Sequence, residues 1–547
     1  MRNLIRPLLF VVALFISQAV AAQNPQWHWL QEVKGTEMIS GSGIVVDASG
    51  NTLVAGTFNG TAVLGGVSLE SRGDSDIFLA KYNENGEAIW VKQAGGGNGD
   101  LSWALTVDGS NNMLVAMLLG EGSVVGDSTL SAGGTYVAKY DENGNMLWVT
   151  QAGSFNPRDI AGDMSGNISL TGHFVDEISI GDTTLTSFGS LDILVARFDK
   201  DGNFLWAAQA GGTGLEIGAS VAVDEMGASY VTGWFSEISS FNDTTLTSMG
   251  FGDTFIAKYD HLGNLLWVLQ QGGSSGDSGV AIALDADGNI LVFGEFWEEA
   301  TYGGETLTSL GQFDLFLAKY DAAGKPLWVR QAGGPEGDHA HDLAIDAAGN
   351  CLIIGAFRGD VTFDTVMLSE TGGGGDADIF TAKYGADGEF FWVEQSGGIL
   401  EDFPSAIAAH STGDAVLLGN YGGSAQFGGE TLTSDGERDV VIARLGDMTT
   451  DVDPASSQPS AFQLHQNYPN PFNPQTRINY DLSENAHVKI SIYNTAGQFI
   501  DVIVDERQSA GTHSVVWDAS GFSAGVYFIK MVAGSGKVKT QKALLLK

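Results

Sequence analysis

The chain has 547 residues and carries 66 acidic against 26 basic side chains, a formal net charge of −40. That excess excludes nucleic acid as a partner, because phosphate binding needs a basic patch, and it works against docking on anionic lipid. The lone cysteine, Cys351, excludes an intrachain disulfide, and its setting in Cys-Leu-Ile-Ile reads as a buried structural thiol.

At the start of the chain, Arg2 and Arg6 precede an apolar run from Leu8 to Ile16, and Ala19-Val20-Ala21 offers a small-residue cleavage pattern. This is the pattern of a secretory signal peptide over residues 1–22. The run is too short for a membrane anchor, which needs about 20 apolar residues. No later stretch is long and apolar enough to span, so the mature chain is expected to be soluble, without a transmembrane segment.

Three signals then recur. The first is a short apolar strand ending at Asp47, Asp108, Asp163, Asp224, Asp285 and Asp346, with His410 in the seventh place; the gaps are 61, 55, 61, 61, 61 and 64 residues. The second is a strand ending in a basic residue, at Lys81, Lys139, Arg197, Lys258, Lys319, Lys383 and Arg444. The third is a strand carrying Trp90, Trp148, Trp206, Trp267, Trp328 or Trp392, usually leading into Gln-Ala-Gly-Gly. Turns such as Asp141-Glu142-Asn143-Gly144 separate the last two signals, as tight hairpins require.

Four strands per unit at a long fixed period predict propeller blades. The seventh copy stops after Ala443-Arg444-Leu445, and an orphan Trp strand at Trp29 stands near the beginning. Joining the two predicts an all-β, seven-bladed β-propeller over residues 23–446, its last blade closed by the Trp29 strand so that no edge is left open. The Asp-x-x-Gly-Asn turn followed by a strand ending near Gly-x-Phe, at Asp285 to Phe296 and Asp346 to Phe357, resembles the bacterial β-propeller repeat family SBBP. That resemblance implies the fold and carries no catalytic residues with it.

Residues 447–460 turn to Asp, Thr, Ser and Pro and read as a linker. Residues 461–547 then show alternating strands such as Val488 to Tyr493 and Val526 to Lys530, the length of a small Ig-like β-sandwich. Asn467-Tyr468-Pro469-Asn470-Pro471-Phe472 opens this module, and Gly525-Val526-Tyr527 and a terminal Lys-Ala-Leu-Leu-Leu-Lys follow. Together these look like the type A C-terminal sorting domain of the type IX secretion system. The resemblance implies recognition by that outer-membrane machinery and a location outside the cell or on its surface.

Candidate chemistry is sparse. His339 and His341, in Asp338-His339-Ala340-His341-Asp342, would face one side of a regular strand and could share a metal. Asp-rich turns such as Asp199 to Gly202 and Asp285 to Gly288 superficially resemble calcium loops, without the acidic residue expected at the loop end. Eight residues before the strand-ending position stand Asp100, Glu216, Asp277, Asp338 and Asp402, a set that could bind a cation such as calcium or a polyhydroxylated ligand. No Ser-His-Asp set, phosphate loop or placed pair of catalytic carboxylates stands out. The expected function is therefore non-catalytic: a binding or scaffold protein meeting an extracellular glycan or protein. A cation-dependent polysaccharide hydrolase or lyase and a structural surface-layer component are the alternatives.

Overall fold

In the computed structural model the strand Ile39–Val46 pairs antiparallel with Thr52–Phe58, that strand with Asp76–Tyr82, and the last with the Trp-bearing strand Ala88–Ala94. The same order repeats along the chain, for example Glu216–Val223, Ser229–Phe235, Asp253–Tyr259 and Leu265–Gly273. The structure describes residues 25–372, 375–447, 463–464, 467, 470, 472–482, 486–508, 511–533 and 537–546. The signal peptide, nearly all of the linker, and Tyr468, Pro469 and Pro471 lie outside them. The chain divides into two units, residues 1–448 and 449–547. Every regular element among the described residues is a strand, and the first unit is a β-propeller.

The repeated signals interlock. The strand-ending Asp caps its own turn, as Asp285 Oδ1 accepts the Asp287 and Asn289 amides, while its other oxygen meets the basic residue two strands on. These ion pairs are buried: Lys81 with Asp47, Lys139 with Asp108 and Lys319 with Asp285 lie at 2.8–2.9 Å. The Trp indole donates across to the turn of the following blade, Trp90 to the Glu142 carbonyl and Trp206 to that of His261, each at 3.0 Å. A recurrent Asp, basic residue and Trp at near-fixed spacing thus form a brace that recurs along the blades.

The variable segment between the second and third strands forms a hairpin, for instance Ile238–Phe241 with Thr244–Thr247. Phe241 stands opposite Ala210, so the hairpin extends the outer strand of the preceding blade. The chain start is used in the same sheet logic. Gln26–Gly35 pairs with Asp439–Gly446, Leu30 opposite Ala443, and supplies the fourth strand to the sheet of Phe403–Ala409 and Ala415–Tyr421. Cys351 is buried, and burial pushes its thiol up to about 12, which leaves it protonated.

In the second unit, Gln475–Leu482 pairs with Gly511–Asp518, and a separate sheet runs Phe499–Gln508, Ala486–Asn494, Gly525–Ala533, Lys537–Leu545. Ile478 and Trp517 from the first sheet and Ile490, Ile529 and Leu545 from the second share one core. No helix among the described residues is long and apolar enough to cross a membrane.

Candidate functional site in the propeller channel

Each innermost strand carries one register shift against its neighbour, at the same place: between Gly41 and Gly43, Ser102 and Ala104, Pro157 and Asp159, and likewise in the other four. A bulge re-aims the extra residue away from regular alternation. The seven extra residues are Ser42, Trp103, Arg158, Ala219, Val280, His341 and Ser405, and all of them line a single solvent-open cavity of ≈ 130 Å³. The seven inner strands therefore each present one side chain to the cavity, and its type differs from strand to strand.

Three of these carry chemistry. The Arg158 guanidinium lies 5.4 Å from the Trp103 ring centre, a cation–π distance. It forms no ion pair with a described carboxylate, in a chain with forty excess negative charges. The Trp103 indole nitrogen is buried without a hydrogen-bond partner. Burial holds His341 down to about 4, so its imidazole is neutral at physiological pH. Beside the bulges, Asp159 accepts from Ser220 Oγ at 2.7 Å and the Val221 amide at 2.9 Å, and Asp342 accepts from the Ile407 amide at 2.8 Å. Each latches its strand to the next one round the channel. Burial raises Asp159 to about 6 and Asp342 to about 7.

The structure gives the two histidines that the sequence pairs different surroundings, although His339 and Glu295 both bear electrostatically on His341. Because the shift falls between Ala340 and Asp342, alternation does not hold there. His339 Nδ1 meets Glu295 Oε2 at 2.9 Å, a contact that raises its pKa, while His341 joins the channel wall. Among the described residues no group of three or more His, Cys, Asp or Glu side chains is placed to hold a metal ion.

Asp100, Glu216, Asp277, Asp338 and Asp402 are buried at the starts of their inner strands. Asp100 accepts from the Gly96 amide at 2.6 Å, Asp277 from Gly273 at 2.6 Å, Asp402 from Gly398 at 2.6 Å and Glu216 from Gly212 at 2.9 Å. The residues missed by sequence reasoning are the seven at the bulges. Their only signal is variability at a fixed place, five residues before the strand-ending position.

In the second unit, Phe472 is buried against Trp517, ring centres 5.2 Å apart, with Tyr527 on the other side of the indole at 5.4 Å. Asn470 Oδ1 accepts from the Leu544 amide at 2.7 Å, and Phe472 exchanges backbone hydrogen bonds with Leu544 and Leu546. Asn467 is buried with its amide on Thr476 Oγ1 at 2.9 Å, and Gly525 takes φ +152°, which a side chain would disfavour. The Asn-Pro-Phe opening is thus laced to the last strand. Residues 466–546 match the family described as secretion system C-terminal sorting domain. This second unit is a sorting domain.

The sorting domain implies export, and it accounts for none of the propeller. For the chain as a whole, the uncharacterized WD repeat-containing protein L264 of Acanthamoeba polyphaga mimivirus is 22% identical over 419 residues, 60% of this chain and 30% of that protein. The regulatory protein FlaEY of Caulobacter vibrioides is 26% identical over 176 residues, 31% of this chain and 18% of that protein. The chain therefore spans less than a third of the length of either curated relative. The solved Dos1 propeller is 9% identical, with 78% of this chain and 96% of that one aligned at a TM-score of 0.39.

Proposed function

We propose that this is a non-catalytic binding or scaffold protein, exported through the type IX machinery by its sorting domain and displayed outside the cell or on its surface. The propeller is read as a closed ring of seven SBBP-type blades over residues 23–446, and the sorting domain as an Ig-like sandwich over 461–547. Support for the ring comes from the seven bulged inner strands that line one cavity and from the pairing of the N-terminal strand with Asp439–Gly446.

The ligand reading rests on one observation: Arg158 stacked on Trp103, free of any described carboxylate, at the channel wall with neutral His341. An aromatic face and an unpaired guanidinium suit a glycan bearing a carboxylate, since sugar rings stack on aromatics and Arg takes a carboxylate bidentately. A capture screen of acidic and neutral glycans on the full chain should give a ligand lost in Arg158→Ala and in Trp103→Ala. Binding that neither substitution weakens refutes the channel as the site.

A polysaccharide hydrolase or lyase remains the second reading because Asp159 and Asp342 bring raised pKa values to the channel wall. Release of shortened product, abolished by Asp159→Asn, replaces the binding reading with that one.

A further inference from the structure

Every acidic residue at the start of an inner strand has a second carboxylate beside it, 24 residues earlier in the chain, at the start of the preceding blade's third strand. At the junction of Asp76 with Asp100, a Cβ added to Gly95 would meet Asp76 Oδ1 at 2.8 Å and Asp100 Oδ2 at 3.0 Å. At the junction of Asp378 with Asp402, a Cβ added to Gly397 would likewise meet Asp378 Oδ1 and Asp402 Oδ2. The same spacing joins Asp192 to Glu216, Asp253 to Asp277 and Asp314 to Asp338. Two carboxylates from neighbouring blades thus close on one glycine backbone, where no side chain fills the space between them.

Hydrogen-bond donors hold these groups, yet burial raises the carboxyls of Asp253, Asp277, Asp314, Asp338, Asp378 and Asp402 above their ordinary value. Gln93, Gln270 and Gln395 each donate to the third-strand Asp of their own blade, at 2.5–2.6 Å, and glycine amides donate to the inner-strand acid. Donors of this kind favour the charged form. Among the described residues none of the ten carboxylates forms an ion pair, though Arg72 bears on Asp76 and Arg438 on Asp402, whereas all six strand-ending Asp residues do. The Oδ1 atoms of Asp192, Asp253, Asp314 and Asp378 are fully buried with no hydrogen-bond partner, and at Asp338 both oxygens are so. Two buried like charges without a counter-charge cost several kcal/mol each.

The other two junctions show what happens when the pair is missing. Asp439 faces Ile39 in place of an acid, and its Oδ1 is then satisfied by the Gly35 amide at 3.1 Å. Thr135 faces Phe155, and the two exchange hydrogen bonds directly. Among the described residues, unpartnered oxygens of the third-strand Asp occur only where a second acid stands opposite, at every such junction but that of Asp76, whose Oδ1 accepts from the Arg72 amide.

We infer that the five acid pairs are calcium sites that staple neighbouring blades. The donor set is all oxygen, which selects a hard cation, and calcium completes its six to eight ligands with backbone carbonyls and water. In a chain with no disulfide, such staples supply cross-links between blades, independently of what the channel binds.

The test uses the full chain, stripped with chelator and dialysed at pH 7.5, then titrated with calcium while bound metal and melting midpoint are measured. The expected result is about five ions per chain and a midpoint that climbs with calcium concentration. Asp338→Asn should lose one ion of the five, with Asp402→Asn as the second variant if the first does not fold. Asp439→Asn, at a junction without a pair, should keep all five. No bound calcium, or a midpoint unmoved by calcium and chelator alike, overturns the inference and leaves shared protons as the state of the pairs. Equal loss of metal in Asp439→Asn overturns it too.

Discussion

Arg444 pairs with Asp414 at 2.7 Å, whereas every other basic residue in its place pairs with the Asp that ends the inner strand of its own blade. His410 occupies that Asp position here, and the acid has moved four residues along to the far side of the turn. The brace survives the exchange because its requirement is a buried carboxylate within reach of the third strand. The identity of the strand-ending residue is secondary.

That requirement sets the first prediction. Lys319 is 6% exposed and Asp285 7%, so removing the cation strands a buried charge. Lys319→Met should lower unfolding stability by about 3–5 kcal/mol. The double variant Lys319→Met with Asp285→Asn keeps the turn cap, removes the stranded charge and should recover part of the loss. Urea unfolding of the three proteins measures both terms, and a double variant no better than the single one would refute the account.

The pairing of the first strand with Asp439–Gly446 gives the second. Trp29 donates to the Glu84 carbonyl at 3.0 Å, the same bond that Trp90 makes to Glu142. Trp29→Phe should cost about 1 kcal/mol, the worth of one such hydrogen bond. Deleting residues 25–35 is a different matter, because it bares the Asp439–Gly446 edge. The shortened chain should associate through that edge, read as a rise in mass by light scattering.

Much of this was legible in the sequence because the brace recurs in register: Asp285, Lys319 and Trp328 repeat at one spacing, and repetition exposes what a single copy would hide. The channel residues were not legible. A bulge leaves no mark on residue type, and Ser42, Trp103, Arg158 and His341 share no chemistry, so His339 and His341 read as a pair on a regular strand. The inner-strand acids were visible at Asp100 and Asp402, but their partners Asp76 and Asp378 lie in the preceding unit and read as ordinary strand starts. Contact between blades is a three-dimensional relation that the repeat spacing alone does not announce.

The pH dependence follows from groups that pull in opposite directions. Burial raises Asp159 to about 6, Glu216, Asp277, Asp342 and Asp402 to about 7, and Asp338 to about 8. In cation-free buffer the folded state then holds more protons than the unfolded state between about pH 4 and 8, and stability falls as pH rises through that window. Burial lowers His173 and His341 to about 4, so these two favour folding as pH rises from 4 to 6.5. Six acids outweigh two histidines. The melting midpoint in chelator should fall from pH 5 to pH 8, most steeply above pH 6.5 where the histidines no longer oppose. A midpoint that rises across that range would show the acids to be ionised throughout.

The sorting domain offers a separable readout. Phe472 is 2% exposed and fills the space between Trp517 and the final strand, where its amide and carbonyl bond Leu544 and Leu546. Phe472→Ala removes a buried ring and should cost about 3–5 kcal/mol in the second unit alone. Limited proteolysis of the full chain should then release an intact propeller while the sorting domain is degraded. In a host with a type IX system the variant should accumulate in the periplasm, and Phe472→Leu, which keeps most of the apolar volume, should be exported more nearly as the parent. Normal surface delivery of Phe472→Ala, with the second unit demonstrably unfolded, would mean that the machinery reads the linear sequence of this segment. Retention of a variant whose second unit stays folded would instead place Phe472 in the recognition surface, which its burial argues against.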